Sequence, residues 1–429
     1  MKYFITIIFI ALLFTSCKTQ SPSMDEIAES YVRLSLEIGL YDSDFIDAYY
    51  GPEEWKPKVE KSDSLPSDKF INQANALLKQ CENVDQTNYK EIDKARLSLM
   101  KKQLIAVKTK VEMMAGKVYS FDEEARLLYD TDPPHFTEDY FDNVLAELEK
   151  TVPGKGDLST RYNEYASQFI IKKDKLDIVF KKAIDEGRKR TMKYVDLPEN
   201  ENFVLEFVSN KSWGGYNYYQ GNSQSLIQIN TDSPSFIQRA IDTGCHEGYP
   251  GHHFLNARLE QNLVNKMGWK EFSVYPLFTP MSLIAEGTAN YGIEVAFPGE
   301  EKITFETEVL YPLAGLDPAK AVQYSKISEL RSKLGYAGNE AARKYLNGEI
   351  SREDAAKWNE KYLLMTPKRA LQRISFVDQY RSYVINYNWG KDLVKKFIES
   401  NGGTADNPEK RWELFIDLVS NPHSASDLK

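Results

Sequence analysis

Histidine, cysteine and basic charge are all scarce in this sequence. It has five His and three Cys among 429 residues, and its 54 Lys and Arg are outnumbered by 63 Asp and Glu, which gives a formal net charge of −9. A nucleic-acid-binding protein would carry a basic face or stripe, so we expect no nucleic-acid partner. Hydrophobic residues make up 42% of the chain, which is enough to bury a core and excludes a wholly disordered protein.

The sequence signatures of several enzyme classes are also missing. There is no Gly-x-Ser-x-Gly elbow, no phosphate-binding Gly loop and no Gly-x-Gly-x-x-Gly. The sequence therefore gives no sign of an α/β-hydrolase, a P-loop enzyme or a dinucleotide-binding fold. Beyond the first residues, no stretch approaches the roughly 18 apolar residues that a membrane-spanning helix needs.

One apolar run does occur, at the N-terminus. It covers about 12 residues, from 3 to 14, which is too short to span a bilayer but is typical of a signal-peptide core. The run is followed by Thr15, Ser16 and Cys17. Small residues before a Cys resemble the bacterial lipobox, in which the thiol is acylated and the chain is cleaved before it.

These features predict a cell-envelope lipoprotein, periplasmic or attached to the outer membrane through its N-terminal lipid. We expect a signal peptide at 1–16, lipidation of Cys17 and a lipid-anchored tether at 17–23. The alternative is an ordinary signal peptide with an incidental Cys. Cys81 and Cys245 then remain, which allows at most one disulfide and no disulfide framework.

The spacing of apolar residues predicts a mainly α (α+β) fold. They recur every three or four positions from 24 to about 195, as amphipathic helices require, so we expect an N-terminal helical region at 24–200. Residues 203–208 and 226–230 alternate as half-buried strands do, and we expect a Gly- and Tyr-rich turn between them at 212–219. The region 201–429 is the predicted catalytic region, with a small β-sheet beside its key helix.

Three of the five His lie close together, at His246, His252 and His253. His246 is followed by Glu247, and a His-Glu pair on a helix suits a zinc hydrolase, because the imidazole binds the metal and the carboxylate takes a proton from the attacking water. The common His-Glu-x-x-His arrangement would place the second ligand at Pro250. The alternative is a structural His-Glu pair that binds no metal.

The break at Pro250 bears on the choice of the second ligand. On a straight helix, His253 would lie about 10 Å from His246, too far for one zinc ion. Pro250 and Gly251 should interrupt the helix, however, and a bulge there would bring His252 back toward the metal. We therefore favour His252 over His253 as the second ligand, and expect His253 to support the site or to face the substrate.

A third ligand is expected from a later helix that opens at Thr279-Pro280. Glu286 lies two turns into this helix and is the predicted carboxylate ligand. It is followed by Gly287, whose missing side chain allows another element to approach closely. Glu294 lies about 12 Å further along the axis, which suits binding of a substrate amine better than binding of the same metal. A plain surface carboxylate is the alternative for Glu294.

Several segments carry a resemblance to a known family. The run His-Glu-Gly-Tyr-Pro-Gly-His-His, followed by Ala-Glu-Gly, resembles a large bacterial family without assigned function. Many of its members are predicted lipoproteins, and its fold is related to gluzincin-type zinc metallopeptidases such as the carboxypeptidase Taq family. The resemblance extends from Tyr218-Tyr219 to the segment Tyr387-Asn388-Trp389-Gly390-Lys391, about half the chain. Thr288 departs from the family, which usually has Trp at this position.

The resemblance implies a zincin-like architecture of the neurolysin and carboxypeptidase-Taq kind, zinc as cofactor and a peptide as substrate. It makes Tyr387 the candidate donor to the oxyanion of the reaction, with Tyr383 nearby and Arg381 as a candidate substrate-binding residue. The strand that ends at Asn230 is a candidate for holding a peptide by backbone pairing. Two alternatives stay open: a non-catalytic metal- or solute-binding lipoprotein, and a zinc hydrolase of a non-peptide amide or ester.

Overall fold

The first half of the chain is built from helices. The computed structural model describes residues 22–211 and 213–429, so the expected signal peptide and Cys17 lie outside the described residues. The helices of the described chain up to residue 200 are α1 (Met24–Gly39), α2 (Ser67–Glu82), α3 (Glu91–Met114), α4 (Phe121–Tyr129), α5 (Glu138–Thr151), α6 (Leu158–Ser167) and α7 (Leu176–Thr191). A short strand, β1 (Ile46–Tyr49), lies between α1 and α2.

Local sequence explains where α1 begins and which face it buries. The Ser23 hydroxyl accepts a hydrogen bond from the backbone N–H of Glu26, and the Glu26 carboxylate accepts one from the backbone N–H of Ser23 at 2.9 Å. This reciprocal pair is a capping box, which satisfies amide groups that the helix itself leaves unpaired. Ile27, Tyr31 and Ile38 follow at helical spacing and are fully buried, as the periodicity predicts.

The second half of the chain is also mainly helical. Its α-helices are α8 (Arg239–Asp242), α9 (Gly244–Glu247), α10 (His252–Leu259), α11 (Pro280–Ala296), α12 (Glu301–Phe305), α13 (Tyr311–Ala314), α14 (Ala321–Ser332), α15 (Gly335–Leu346), α16 (Arg352–Leu363), α17 (Pro367–Tyr380), α18 (Ile385–Ser400) and α19 (Pro408–Leu418). Two π-helical turns, Glu260–Lys266 and Glu306–Leu310, continue α10 and α12. The prediction of a mainly α protein is confirmed.

Short 3₁₀ turns link several of these elements. They are Glu53–Trp55, Lys173–Lys175, Lys270–Ser273, Pro318–Lys320, Arg381–Val384 and Ala425–Leu428. None of the helices in the described ranges combines the length and the apolar character that a bilayer crossing requires. Cys81 and Cys245 are both buried free thiols, so no disulfide joins them.

Two small sheets complete the fold. β1 pairs antiparallel with β5 (Val274–Pro276). The other sheet contains β2 (Asn202–Val208), β3 (Gly215–Gly221) and β4 (Gln224–Asn230) in the order β2-β4-β3. β2 and β4 are the two strands that the sequence predicts. The expected turn at 212–219 is wrong, because most of that segment forms β3.

The sheet order bears on the expected peptide-binding strand. β4 pairs in parallel with β2 on one side and antiparallel with β3 on the other. Both of its edges are therefore occupied, and the expectation that the strand ending at Asn230 pairs with a peptide is wrong. β3 is the edge strand on this side of the sheet.

The helix α11 is buried along most of its length and packs against α18. At the crossing, a Cβ atom added to Gly287 would lie 2.5 Å from the carbonyl oxygen of Gly390, and one added to Gly390 would lie 2.9 Å from the carbonyl oxygen of Leu283. Glycine at both positions lets the two backbones touch, since a larger residue would have to displace backbone atoms. This close approach brings Glu286 on α11 beside Tyr387 on α18.

Candidate metal centre

The helix that carries His246 is interrupted where the sequence predicts it. α9 ends at Glu247, and α10 begins five residues later at His252. The connecting segment turns back so tightly that a Cβ atom on Gly251 would overlap the backbone carbonyl of His246. Only glycine fits at such a position without a backbone shift. The interruption lets His246 and His252 face the same space.

His246, His252 and Glu286 come together as the sequence predicts for a metal site. One nitrogen from each imidazole and one carboxylate oxygen all lie within 4.8 Å of one another. Nε2 of His246 is 3.2 Å from Oε2 of Glu286, and Nε2 of His252 is 3.7 Å from the same oxygen. A tetrahedral zinc ion with bonds of about 2.0–2.1 Å separates its ligand atoms by about 3.3 Å. The two nitrogen-to-oxygen distances lie near this value, so the three side chains can hold a zinc ion after small adjustments.

A second observation also fits a cation. Oε2 of Glu286 is buried and has no hydrogen-bond partner among the described residues, although two imidazoles surround it. A buried carboxylate oxygen that accepts no hydrogen bond is costly unless a positive charge faces it. A metal ion between the three side chains would satisfy this oxygen and both Nε2 atoms at once.

Neighbouring side chains fix the orientation of these groups. Tyr383 donates its hydroxyl to Oε1 of Glu286 at 2.8 Å. The amide nitrogen of Asn290 donates to the backbone carbonyls of Glu286 and Tyr387 at 3.0 and 3.1 Å. Its amide oxygen therefore faces Nδ1 of His246, at 3.2 Å. This arrangement assigns the proton of the His246 ring to Nδ1 and leaves the Nε2 lone pair free for a metal.

The electrostatics of the cluster favour a positive charge between its members. Burial opposes ionisation of Glu286, but the contacts to His246 and His252 outweigh it and hold the pKa of this carboxyl well below its usual range. Burial likewise disfavours a charged His252, yet Glu286 reverses the effect and raises the pKa of this imidazole to about 9. Either a proton on an imidazole or a metal cation can supply this positive charge. The two compete for the same imidazole nitrogen.

Glu247 lies beside the cluster without belonging to it. Its carboxylate packs against β3, where a Cβ atom on Gly215 would be 2.8 Å from Oε1. Its backbone carbonyl accepts a hydrogen bond from the Asn217 side chain at 2.7 Å. Burial raises the pKa of Glu247 above its usual range. The raised pKa makes this carboxylate a better proton acceptor than an exposed one.

The cluster opens into a large cleft. The cleft has a volume of about 710 Å³, and Glu247 and Tyr387 line it together with the three clustered side chains. Tyr387 stacks edge-on against Tyr383, with ring centroids 5.8 Å apart. Burial and the nearby Glu286 charge raise the pKa of the Tyr387 hydroxyl well above its usual value. The hydroxyl therefore keeps its proton at neutral pH and is available as a donor.

Two of the expected substrate-binding residues have structural contacts instead. His253 is fully buried, and its ring nitrogens contact Ser225 Oγ at 2.7 Å and Glu201 Oε1 at 3.0 Å. It points into the interior of the protein, away from the cleft. Asn230 does line the cleft, but its amide nitrogen donates to the backbone carbonyls of residues 211 and 213 at 3.0 and 2.8 Å. Its side chain therefore holds the loop before β3.

The other two expected substrate-binding residues lie outside the cleft lining. Glu294 contacts two amines of α18, Lys391 at 2.6 Å and Lys395 at 2.8 Å. Arg381 donates to the buried carboxylate of Glu124 at 2.7 Å. Both charges are thus neutralised within the protein, and the structure does not bring either group to the metal cluster.

Some residues of the site carry little signal in the sequence. Asn290 lies four residues after Glu286 on the same helix face, a spacing that would have pointed to it. Asp47 and Tyr216 also line the cleft, and the Tyr216 hydroxyl donates to Asp47. Asp47 lies about 200 residues before the cluster in the chain, and no motif surrounds it. Only the folded chain brings it to the cleft.

Comparisons with known proteins show a fold already seen in solved structures. The sequence matches no protein-family model and no curated protein. A predicted lipoprotein from Colwellia psychrerythraea superposes with a TM-score of 0.52 at 13% identity, over 85% of this chain and 66% of that chain. A predicted lipoprotein of unknown function from Shewanella oneidensis gives a TM-score of 0.46 at 12% identity, over 84% of this chain and 72% of that chain.

These identities are too low to carry function, and the likeness concerns the fold alone. The Colwellia protein is similar enough to support a shared fold over most of this chain. This chain spans 66% of that protein's length. The chemistry of the site must therefore be argued from its own residues.

Proposed function

We propose that this protein is a zinc-dependent peptidase. The observation that carries the proposal is the meeting of His246, His252 and Glu286 at one point of a large cleft, with the carboxyl group of Glu247 beside them. Two imidazoles and one carboxylate are the donor set of many catalytic zinc sites, in which the fourth position is kept open. A structural zinc site would instead be closed by a fourth protein ligand.

His246, His252 and Glu286 would hold the zinc ion, and zinc bound there acts as a Lewis acid that polarises a carbonyl and activates water. Glu247 accepts the proton of the attacking water at its carboxylate and passes it to the leaving amine. Tyr387 donates its hydroxyl to the oxyanion that develops on the substrate carbonyl. Tyr383 and Asn290 keep Glu286 and His246 oriented toward the metal.

A peptide is the proposed substrate because an edge strand borders the cleft. Gly215, Tyr216 and Asn217 of β3 line it next to Glu247. The outer edge of β3 is where an extended chain can add by backbone hydrogen bonds. Gly215 has no side chain, which leaves room for Thr243 and the carboxylate of Glu247 to pack against this strand. This strand replaces the one ending at Asn230 as the peptide-binding candidate.

We also propose that the protein is held at the bacterial cell envelope by lipid on Cys17. The support is the sequence Thr15-Ser16-Cys17 after the N-terminal apolar run. The Colwellia protein that shares the fold is also described as a lipoprotein. Replacing Cys17 with Ala should abolish lipid labelling and release the protein from the membrane fraction. Unchanged labelling and fractionation would contradict the assignment.

Two measurements on the full-length protein test the peptidase proposal. Elemental analysis after purification without added metal should find one zinc ion per chain. Mass-spectrometric profiling of a peptide library should find cleaved peptides with the zinc-loaded protein and none after chelation. Absence of zinc, with no binding on reconstitution, would overturn the metal site. Bound zinc without any peptide cleavage would overturn the peptidase and leave the non-catalytic or non-peptide alternatives.

A further inference from the structure

Four arginines line the cleft in addition to the metal cluster. They are Arg239, Arg331, Arg369 and Arg373, and we call them the arginine group. The chain has fifteen arginines, and nine of them form an ion pair within 4.0 Å. The other six arginines form no ion pair with a described carboxylate, and four of these six are the arginine group. Unpaired guanidinium groups are thus concentrated in the cleft.

The contacts that these side chains do make leave most of their donors free. Arg239 reaches the backbone carbonyl of Gly214 at 3.4 Å. Arg331 donates to the carbonyl of Leu363 at 3.1 Å, while its Nε is buried without a partner among the described residues. Each guanidinium has five N–H donors, so one backbone contact uses only a small part of its capacity.

The positive charges also lie close enough to repel one another. Burial lowers the pKa of Arg239, and the charge of Arg369 lowers it further. Arg369 is affected in the same way by burial and by Arg331. Like charges in a cleft raise the local concentration of a counter-ion and favour its binding. An anion between these side chains would reduce the repulsion between the guanidinium groups and accept hydrogen bonds from their unused donors.

The acidic residues of the cleft wall have other partners. Asp242 forms an ion pair with Lys302. Asp44 accepts a hydrogen bond from Gln379 at 2.8 Å, and Asp47 accepts one from a tyrosine hydroxyl. The remaining two acids are Glu247 and Glu286 at the metal cluster. None of these five acids forms an ion pair with a member of the arginine group, although the charges of Asp242 and Glu247 act on Arg239 from a longer distance.

Two members of the arginine group lie near residues beside the metal cluster, since the charge of Glu247 acts on Arg239 and Tyr387 acts on Arg373. Arg369 and Arg373 are one turn apart on α17 and so share a face. Arg239 is on α8, which leads directly into the helix of His246. A peptide that places its scissile bond at the cluster would extend along this wall.

We propose that the arginine group binds a carboxylate of the substrate, so that the enzyme selects anionic peptides. This inference rests on the proposed peptidase function. Guanidinium groups form paired, charge-assisted hydrogen bonds with carboxylates. The carboxylate is either the C-terminus of the peptide or an acidic side chain within it, and the same wall recognises both.

Equilibrium binding separates these sources and does not depend on turnover. The test uses the full-length, zinc-loaded Glu247→Gln variant and isothermal titration with N-acetyl-pentaalanine. The peptide is supplied as the free acid, as the C-terminal amide, and as the amide with a central Glu. We expect at least one anionic peptide to bind about tenfold or more tightly than the neutral amide, the usual effect of a charged hydrogen bond. The tighter of the two anionic peptides identifies the source.

Variants of the arginine group provide the second arm. Arg369→Gln and Arg373→Gln, singly and together, should reduce the anionic preference toward that of the neutral amide. Arg369 is partly buried by the cleft wall but keeps a large exposed surface, so its variant should fold. Arg258→Gln is the matched control, because Arg258 is another arginine without an ion pair but lies outside the cleft lining, in contact with Ser420 and Gln261. It should keep the full preference.

The outcomes distinguish this inference from the proposed function. Equal binding of all three peptides, no binding of any, or a preference that survives both arginine substitutions would overturn the carboxylate site. If the anionic preference is found and depends on Arg369 or Arg373, yet the zinc-loaded wild-type protein cleaves nothing in the peptide library, the peptidase proposal fails and the carboxylate site stands.

Discussion

Tyr383 donates its hydroxyl to Oε1 of Glu286 at 2.8 Å, and this contact decides which carboxylate oxygen faces the two imidazoles. With Oε1 occupied, Oε2 is the oxygen left for a metal. The Tyr383 hydroxyl would thus affect metal binding indirectly, by fixing the orientation of the Glu286 carboxylate. Tyr383 itself is buried and lies on the 3₁₀ turn that precedes α18.

We expect Tyr383→Phe to weaken zinc binding by about 10- to 100-fold, the usual effect of removing a group that orients a metal ligand. Titration against a competing chelator measures this directly. Tyr345→Phe is the control, since the Tyr345 hydroxyl contacts Asp378 on the surface, away from the cluster, and zinc affinity should not change. An unchanged affinity in Tyr383→Phe would mean that the contact does not orient the ligand.

His252 and His253 should respond in opposite ways to replacement by Ala. His252 is half-buried and faces Glu286, so His252→Ala should lose zinc. His253 is fully buried between Ser225 and Glu201. Its removal leaves both partners unsatisfied and should lower the free energy of unfolding by about 2 kcal/mol or more.

Zinc content and chemical denaturation of the two variants separate these roles. His253→Ala should still bind zinc under conditions where it is folded. If His253→Ala loses zinc while His252→Ala retains it, the assignment of the second ligand must be reversed. If neither variant loses zinc, the metal does not lie in this cluster.

The sequence predicted those parts of the site that depend on local spacing. The interruption at Gly251 follows from Pro250 and from the absence of a Cβ atom. Gly287 was expected to allow close approach of another element, and α18 does approach there, at Gly390. In each case, one or two residues restrict the backbone so strongly that the local structure can be predicted from them without knowledge of the rest of the chain.

The expectations that failed depend on distant parts of the chain. The sequence around Glu294 does not reveal a partner for its charge. In the structure, Lys391 and Lys395 neutralise this carboxylate from a helix about 100 residues later. The strand ending at Asn230 looked like an edge strand because its own pattern alternates. Its neighbours in the sheet are set by a hairpin with β3 and a parallel contact with β2, and no local pattern encodes that order.

A buried acid away from the cleft makes the stability depend on pH. Burial raises the pKa of Glu306 to about 7, although Lys302 acts against it. Oε1 of Glu306 is buried without a hydrogen-bond partner among the described residues, which is consistent with a neutral carboxyl group. The folded protein therefore holds this proton more tightly than the unfolded chain, where the ordinary value is 4.5.

The sign of the effect follows from this order of pKa values. The contribution of Glu306 to stability is complete below about pH 4.5 and is lost as the pH rises through about 7. Glu306→Gln is neutral throughout, so its melting temperature relative to wild type should be higher at pH 8 than at pH 5. Glu308→Gln, at an exposed position, should show no such trend. A difference between Glu306→Gln and wild type that does not change with pH would show that the carboxyl group titrates normally.

Glu247 and Glu286 both lie at the cluster, but their substitution by Gln should have different consequences. Glu247→Gln keeps the shape of the side chain and removes its ability to accept a proton at neutral pH. Zinc should stay bound, while turnover of a peptide that wild type cleaves should fall by roughly 10²- to 10⁴-fold, the usual effect of losing a positioned general base.

Glu286→Gln should instead weaken the binding of zinc, because it removes the one charged donor of the set, and turnover should fall with the metal content. Elemental analysis and peptide hydrolysis on the same samples distinguish the two effects. If both variants lose zinc equally, Glu247 is a ligand or a structural residue and the mechanism is wrong. If Glu247→Gln cleaves peptides as fast as wild type with its zinc in place, the proton acceptor is another group, and Asp47, which lines the same cleft and whose pKa is raised to about 7 by burial, becomes the first residue to replace.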